Sequence, residues 1–133
     1  MDTFDAAKKL AELLKKKKYG IVLLEGEMGA GKTTLVSVAT KHLVPNARPS
    51  SPTFTLINQY ADNIYHIDLY RIKDESELYN IGFYEILADK NIVFIEWPQN
   101  APSAELKLKA HFIVTILIAN ERTRRVTIEN SGN

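Results

Sequence analysis

The 133 residues predict one α/β domain, with a mixed parallel and antiparallel sheet flanked by helices and closed by a C-terminal β-hairpin. Three observations predict it. The apolar run Gly20-Ile21-Val22-Leu23-Leu24-Glu25 leads into Gly26-Glu27-Met28-Gly29-Ala30-Gly31-Lys32-Thr33, and an amphipathic stretch follows from Lys32 to Leu43. Strand, loop and helix in that order are the context of the phosphate-binding string G-x-x-x-x-G-K-[ST]. A second apolar run, Ile92-Val93-Phe94-Ile95, ends in the acid Glu96. Alternating segments read as two hairpins: 53–60 with 64–68 over Ala61-Asp62-Asn63, and 111–119 with 122–129 around Asn120-Glu121. Parallel strands then carry the loop and antiparallel hairpins extend the edges, a P-loop NTPase-like architecture.

The first helix is set by Phe4, Ala7, Leu10, Ala11 and Leu14, which share one face, with Asp2 or Thr3 as N-cap. Lys15 to Lys18 follow at its C-terminal end, where a solvated turn complements the helix dipole. In the second helix Leu35, Val38, Ala39 and Leu43 recur at helical spacing. Pro45-Asn46-Ala47-Arg48-Pro49-Ser50-Ser51-Pro52 is the most breaker-rich segment and reads as a loop. Residues 75–89 read as helical with a break at Gly82, and Pro98 to Pro102 as a loop.

Bulk properties narrow the function. The net charge of +1 drives no strong attraction to nucleic acid or membrane. With no cysteine there is no disulfide and no thiolate metal site. The apolar runs are far shorter than the roughly 20 residues a membrane helix needs. The acidic start Met1-Asp2-Thr3-Phe4-Asp5 is unlike a signal peptide, so a cytoplasmic protein with no membrane partner is expected. The short chain leaves no room for a separate substrate domain, and residues 1–133 are read as a single P-loop ATPase domain.

Each loop position has a mechanical job. Gly26 and Gly31 are expected to turn the backbone through φ angles closed to other residues. The N–H groups of the loop face phosphate oxygens, Lys32 reaches the β- and γ-phosphates, and the Thr33 hydroxyl ligates Mg²⁺. The helix starting here adds its N-terminal partial charge. A site of this kind needs an acid at the end of a neighbouring apolar strand to help position the metal. Two candidates stand in the sequence, Glu96 and Asp68, the latter ending Ile64-Tyr65-His66-Ile67-Asp68. The second acid is free to orient the attacking water. Neither Asn-Lys-x-Asp nor a strand followed by Asp-x-x-Gly is present, so adenine is the expected base.

The wider pattern carries a resemblance. Ser51-Pro52-Thr53-Phe54, His66-Ile67-Asp68-Leu69-Tyr70-Arg71, Gly82 followed by Glu85, and Glu96-Trp97-Pro98 follow the loop in that order. Together they resemble the TsaE family of small bacterial ATPases, which assist synthesis of threonylcarbamoyladenosine in tRNA. The resemblance runs from Thr3 to the C-terminal hairpin. Glu27-Met28 departs from the commoner Asp-Leu of the family, conservatively. It implies that residues 26–34, through Thr34, bind ATP or ADP, and that Glu96 contacts Mg²⁺ together with Thr33. It further implies that Asp68 is the second essential acid, that Thr53 faces the γ-phosphate from a switch-like segment, that Trp97 sits beside the site, and that Thr3 lies on the adenine side. A late arginine corresponds to Arg124 or Arg125. The two point to opposite faces of a strand, so at most one reaches the nucleotide. The residues alone leave that choice open, and Arg125 is the one assigned to the nucleotide site. Lys32, Asp68 and Glu96 form the expected catalytic set. The implied partners are TsaD and TsaB, with any tRNA contact indirect, and the chain itself does not transfer the threonylcarbamoyl group.

Plainer roles compete at several positions. His66 reads as a packed or hydrogen-bonded histidine rather than a catalytic one. Arg71 pairs with Asp74 or Glu75, Trp97 competes as a core plug, and Tyr60, Tyr65 and Tyr70 read as sheet surface. Five arginines in a short chain offer no obvious arginine finger, so turnover alone is expected to be slow. A small-molecule kinase and a non-hydrolytic nucleotide switch are the alternative functions. Arg48, alone in the one long loop, makes a poor lid for a kinase.

Overall fold

A computed structural model describes residues 1–47, 57–101, 106 and 109–131. Among these, helix α1 (Thr3–Lys17) leads to strand β1 (Gly20–Gly26) and helix α2 (Lys32–Leu43). Strands β2 (Ile57–Ala61) and β3 (Ile64–Asp68) precede helices α3 (Glu75–Asn80) and α4 (Phe83–Ala88). Strand β4 (Ile92–Glu96), a 3₁₀ turn (Pro98–Asn100), and strands β5 (Phe112–Ile118) and β6 (Arg124–Asn130) complete the order.

The six strands form one sheet in the order β2-β3-β4-β1-β5-β6. The inner pairs β3–β4, β4–β1 and β1–β5 are parallel, while β2–β3 and β5–β6 are antiparallel. The mixed sheet expected from the sequence is therefore present, with one hairpin on each edge. Ile21 to Leu24 are buried on both sides because β1 lies at the centre. Val22 and Leu24 face Leu10, Leu14, Leu35, Val36 and Ala39 of α1 and α2. Ile21 and Leu23 face the opposite cluster with Leu78 and Phe83. The result is a three-layer sandwich built on strand alternation.

Local chemistry fixes the ends. Asp2 caps α1, its Oδ1 accepting from the Asp5 N–H at 2.8 Å. Lys15, Lys16 and Lys17 lie in the last turn, and the helix closes on Lys18 in the left-handed region at φ 73°. Gly82 breaks 75–89 into α3 and α4 at φ 77°, as its position suggested. Pro98 starts a 3₁₀ turn rather than an irregular loop, its missing N–H costing nothing at a helical first position. Phe4 departs from expectation: it is 65% exposed instead of joining the buried face. Ala6 and Ala7 fill that face at the first turn, and Phe4 lies with Gly29, Ala30 and Arg122 around a cleft at the helix start. The residues of 53–56 expected to begin the first hairpin strand lie outside the described residues, as do Arg48 and the Ser51-Pro52-Thr53-Phe54 motif.

Candidate functional site

The loop leaves β1 at Gly26 and enters α2 at Gly31. Gly29 and Gly31 have φ of 83° and 104°, conformations that other residues rarely adopt. Gly26 is required for a different reason from the one expected. It does not have a positive φ. Instead, a Cβ there would stand 2.8 Å from the Ile116 carbonyl oxygen of β5. Close approach of the neighbouring strand excludes the side chain. The Ala30 N–H closes the turn onto the Glu27 carbonyl at 3.0 Å. Glu27, Met28 and Gly29 are exposed, while Ala30 is buried. Gly31 caps α2 without a side chain, so no carboxylate or hydroxyl competes for the first-turn N–H groups.

Lys32 is not exposed, as a loop position would suggest, but only 5% accessible. Its Nζ donates to the Gly26 carbonyl at 2.7 Å and lies 3.7 Å from the centre of the Trp97 ring. Burial lowers its pKa, against the opposing pull of Glu96 and Asp68. Trp97 takes up that position because the chain turns sharply after β4. Its backbone is left-handed, φ 58° and ψ 49°, and its indole packs near Tyr70 with ring centres 5.0 Å apart. A non-glycine residue held there is strained, and the surrounding fold must over-determine it.

Glu96 and Asp68 are register partners at the ends of β4 and β3. Both follow the alternation that faces α2. The Thr33 hydroxyl at the start of α2 donates to Glu96 Oε2 at 3.0 Å. The same oxygen is in contact with His66 Nε2, and His66 Nδ1 is 2.8 Å from the Tyr60 hydroxyl. Burial pushes the Glu96 carboxyl up, but the His66 contact, the Thr33 hydroxyl and the Lys32 charge outweigh it and hold its pKa below the usual value. Burial, with the Glu96 charge, raises the Tyr60 phenol. Asp68 is half-buried and accepts from the Tyr70 N–H at 3.0 Å.

Two clefts open over the loop. One, of about 380 Å³, is lined by Met28, Gly29, Gly31, Lys32, Thr33, Thr34, Asp68, Tyr70, Glu96 and Trp97. The other, of about 310 Å³, is lined by Thr3, Phe4, Gly29, Ala30, Gly31, Thr34, Glu121, Arg122 and Arg124. They share Gly29, Gly31 and Thr34, so the loop forms the floor between them.

The structure thus brings together Lys32, Thr33, Asp68, Glu96 and Trp97 on one side and Thr3 on the other. Thr53 lies outside the described residues. Of the two late arginines, Arg124 is the one that lies beside the loop. Arg124 Nε donates to the Ala30 carbonyl at 3.2 Å, whereas Arg125 is exposed on the opposite face of β6. Val126, inward like Arg124, fixes which face is which. Three neighbours were missed. Tyr60, expected on the sheet surface, is half-buried against His66, and Phe4 and Arg122 line the second cleft. The only sequence signal for the His66 contact was its spacing of two from Asp68, which places both on one face of a strand. Among the described residues no group of three His, Cys, Asp or Glu side chains is arranged to hold a metal ion. No described helix is long and apolar enough to cross a membrane.

Comparison with known proteins gives the family. The profile of TsaE, described as threonylcarbamoyl adenosine biosynthesis protein TsaE, matches residues 1–126. The tRNA threonylcarbamoyladenosine biosynthesis protein TsaE of Rickettsia typhi is 39% identical over 97% of this chain and 90% of its own length. Its namesake in Rickettsia felis is 44% identical over 71% of this chain, a match spanning 58% of that relative. The crystal structure of YdiB from Bacillus subtilis shares the fold with a TM-score of 0.67, over 98% of this chain and 82% of that one, at 24% identity. A profile match over nearly the whole chain, with the loop, the two strand-end acids and Trp97 meeting in one cleft, places this chain in the TsaE family.

Proposed function

We propose that this chain is a Mg²⁺-dependent ATPase, slow on its own, that assists threonylcarbamoyladenosine synthesis on tRNA by acting on a TsaD–TsaB partner complex. The observation that carries the reading is the meeting of Thr33 with Glu96 at the start of α2, beside Lys32 and Asp68. The loop N–H groups would bind the phosphates, and Lys32 would exchange the Gly26 carbonyl for a phosphate oxygen. Its present partners, one carbonyl and one aromatic face, favour a cation already partly stripped of water. The second cleft, which Thr3 and Arg124 help to line, would receive the nucleoside.

The donor set suits the metal. Thr33 offers a hydroxyl and Glu96 and Asp68 offer carboxylates, all hard oxygens of the kind Mg²⁺ takes, with waters and phosphates supplying its other ligands. When bound, the ion would neutralise charge developing on the transferred phosphoryl group. Glu96 and Thr33 would hold it, and Asp68 would orient a water at the cleft edge. Arg124 is engaged with Ala30 and Asn120 carbonyls, away from the acids, so a partner would have to supply a charge at the reaction centre.

The test is phosphate release from Mg·ATP by the chain alone and with purified TsaD and TsaB proteins. The reading expects a low rate that rises when the pair is added. Partner binding with no change in phosphate release would instead favour a non-hydrolytic switch.

A further inference from the structure

We infer that His66 is a positioning residue for Glu96, and that Tyr60 sets the tautomer in which His66 acts. The inference rests on the functional reading above, in which Glu96 is the metal-side acid. Glu96 is 4% exposed and His66 5% exposed. A carboxylate taken out of water at that depth must be compensated by donors. A carboxylate only accepts, so the His66 nitrogen that touches Glu96 Oε2 carries its proton: Nε2–H donates. In the neutral ring Nδ1 is then an acceptor, and the Tyr60 hydroxyl 2.8 Å away is the donor that satisfies it. The chain of donors runs Tyr60 to His66 to Glu96, while Thr33 donates to the same Glu96 oxygen.

The backbone is shaped for this contact. The β2–β3 pairing runs Gln59↔Tyr65 and then Ala61↔Ile64, with a register shift between Gln59 and Ala61. Tyr60 is the extra residue. Tyr60 lies two residues beyond Asn58, the register partner of His66, so alternation already gives it the His66 face, and the bulge keeps Ala61 on that face as well. Tyr60 and Ala61 accordingly both pack on the α1–α2 side of the sheet, the side that carries His66 and Glu96. The relay therefore joins the edge hairpin to the acid two strands away. Hydrogen-bonded supports of this sort orient a metal-binding carboxylate and are worth about tenfold or more in metal affinity when removed.

The experiment has two arms. In the first, long-range ¹H–¹⁵N correlation of the histidines in the unmodified, nucleotide-free chain should give one ring, lost in His66→Gln, in a single Nε2–H tautomer with a protected ring proton. Tyr60→Phe should shift it towards a tautomer mixture. A protonated Nδ1 with bare Nε2 would overturn the inference. In the second, Mg²⁺ is titrated into the chain with ADP. His66→Ala should lower the apparent Mg²⁺ affinity at least about tenfold, in the direction of Glu96→Gln, while ADP binding without Mg²⁺ stays within about twofold. His66→Gln, whose amide N–H reaches the same oxygen, should recover much of the loss. An unchanged Mg²⁺ affinity in folded His66→Ala, or no recovery in folded His66→Gln, would overturn the inference alone. An unmodified chain whose ADP binding ignores Mg²⁺ would overturn the functional reading, and this inference with it.

Discussion

The Thr33 hydroxyl and the Glu96 carboxylate, 63 positions apart, meet at 3.0 Å where helix α2 begins. Parallel pairing of β1 with β4 makes this possible, because Leu24 and Glu96 are register partners just before the loop. One strand delivers the loop and its neighbour delivers the acid.

Truncating Lys32 should remove ATP binding and leave the fold. Lys32→Ala loses one hydrogen bond to Gly26 and a contact with the Trp97 ring, but it also relieves a largely buried charge. The net stability change should stay within about 1 kcal/mol. Calorimetry with ATP and a thermal melt check the two parts. Wild-type affinity in this variant would remove the loop from the functional account.

The two acids should separate from each other in stability. Glu96→Ala leaves His66 and Thr33 facing an empty site and should cost about 1–3 kcal/mol. Asp68→Ala loses a single acceptor to the Tyr70 N–H and should cost less. Both should suppress hydrolysis more than nucleotide binding. Single-turnover phosphate release beside equilibrium titration measures the difference, and Glu96→Ala with full hydrolysis and full Mg²⁺ dependence would reverse the metal assignment.

The two arginines of β6 should behave differently. Arg124→Ala removes the support of the Ala30 carbonyl and should weaken ADP binding several-fold. Arg125→Ala, exposed opposite the exposed Leu117, should be nearly neutral. Equal effects from the two in a binding titration would contradict the face assignment.

The loop and the two edge hairpins were legible in the sequence because both rest on local patterns. Glycine spacing, a buried apolar run and hairpin turns need no knowledge of distant neighbours. What was not legible depends on register between remote strands. Gly26 owes its identity to the Ile116 carbonyl, and Arg124 rather than Arg125 is selected by which face of β6 meets the loop. The burial of Lys32 follows from the left-handed turn at Trp97, which no propensity foretells. The Tyr60 contact with His66 depends on how β2 pairs with β3, a register that the sequence does not state.

Acid should weaken the fold through His111. Its Nδ1 accepts from the Ile21 N–H at 2.9 Å, and burial, with Lys17 nearby, lowers its pKa below the usual imidazole value. Because the folded value lies below the unfolded one, the contribution is full above the unfolded pKa and is lost as pH falls through the folded one. The melting temperature should therefore fall between neutral pH and about pH 5. His111→Asn, which keeps an acceptor but does not titrate there, should fall less. Parallel curves for the two proteins would argue against this role.

Trp97 should report occupancy of the cleft. Its indole faces the Lys32 ammonium at 3.7 Å, and phosphate binding would draw that charge away. Fluorescence should change on adding Mg²⁺ with ADP, and Lys32→Ala should abolish the change. A flat titration while calorimetry registers bound ADP would remove Trp97 from the site.

The most direct measurement is a calorimetric titration of the unmodified chain with ADP and with ATP, with and without Mg²⁺, beside Glu96→Gln. The account predicts saturable one-to-one binding that Mg²⁺ tightens, with the tightening lost in Glu96→Gln. No nucleotide binding, or a Mg²⁺ effect undiminished in Glu96→Gln, would contradict it.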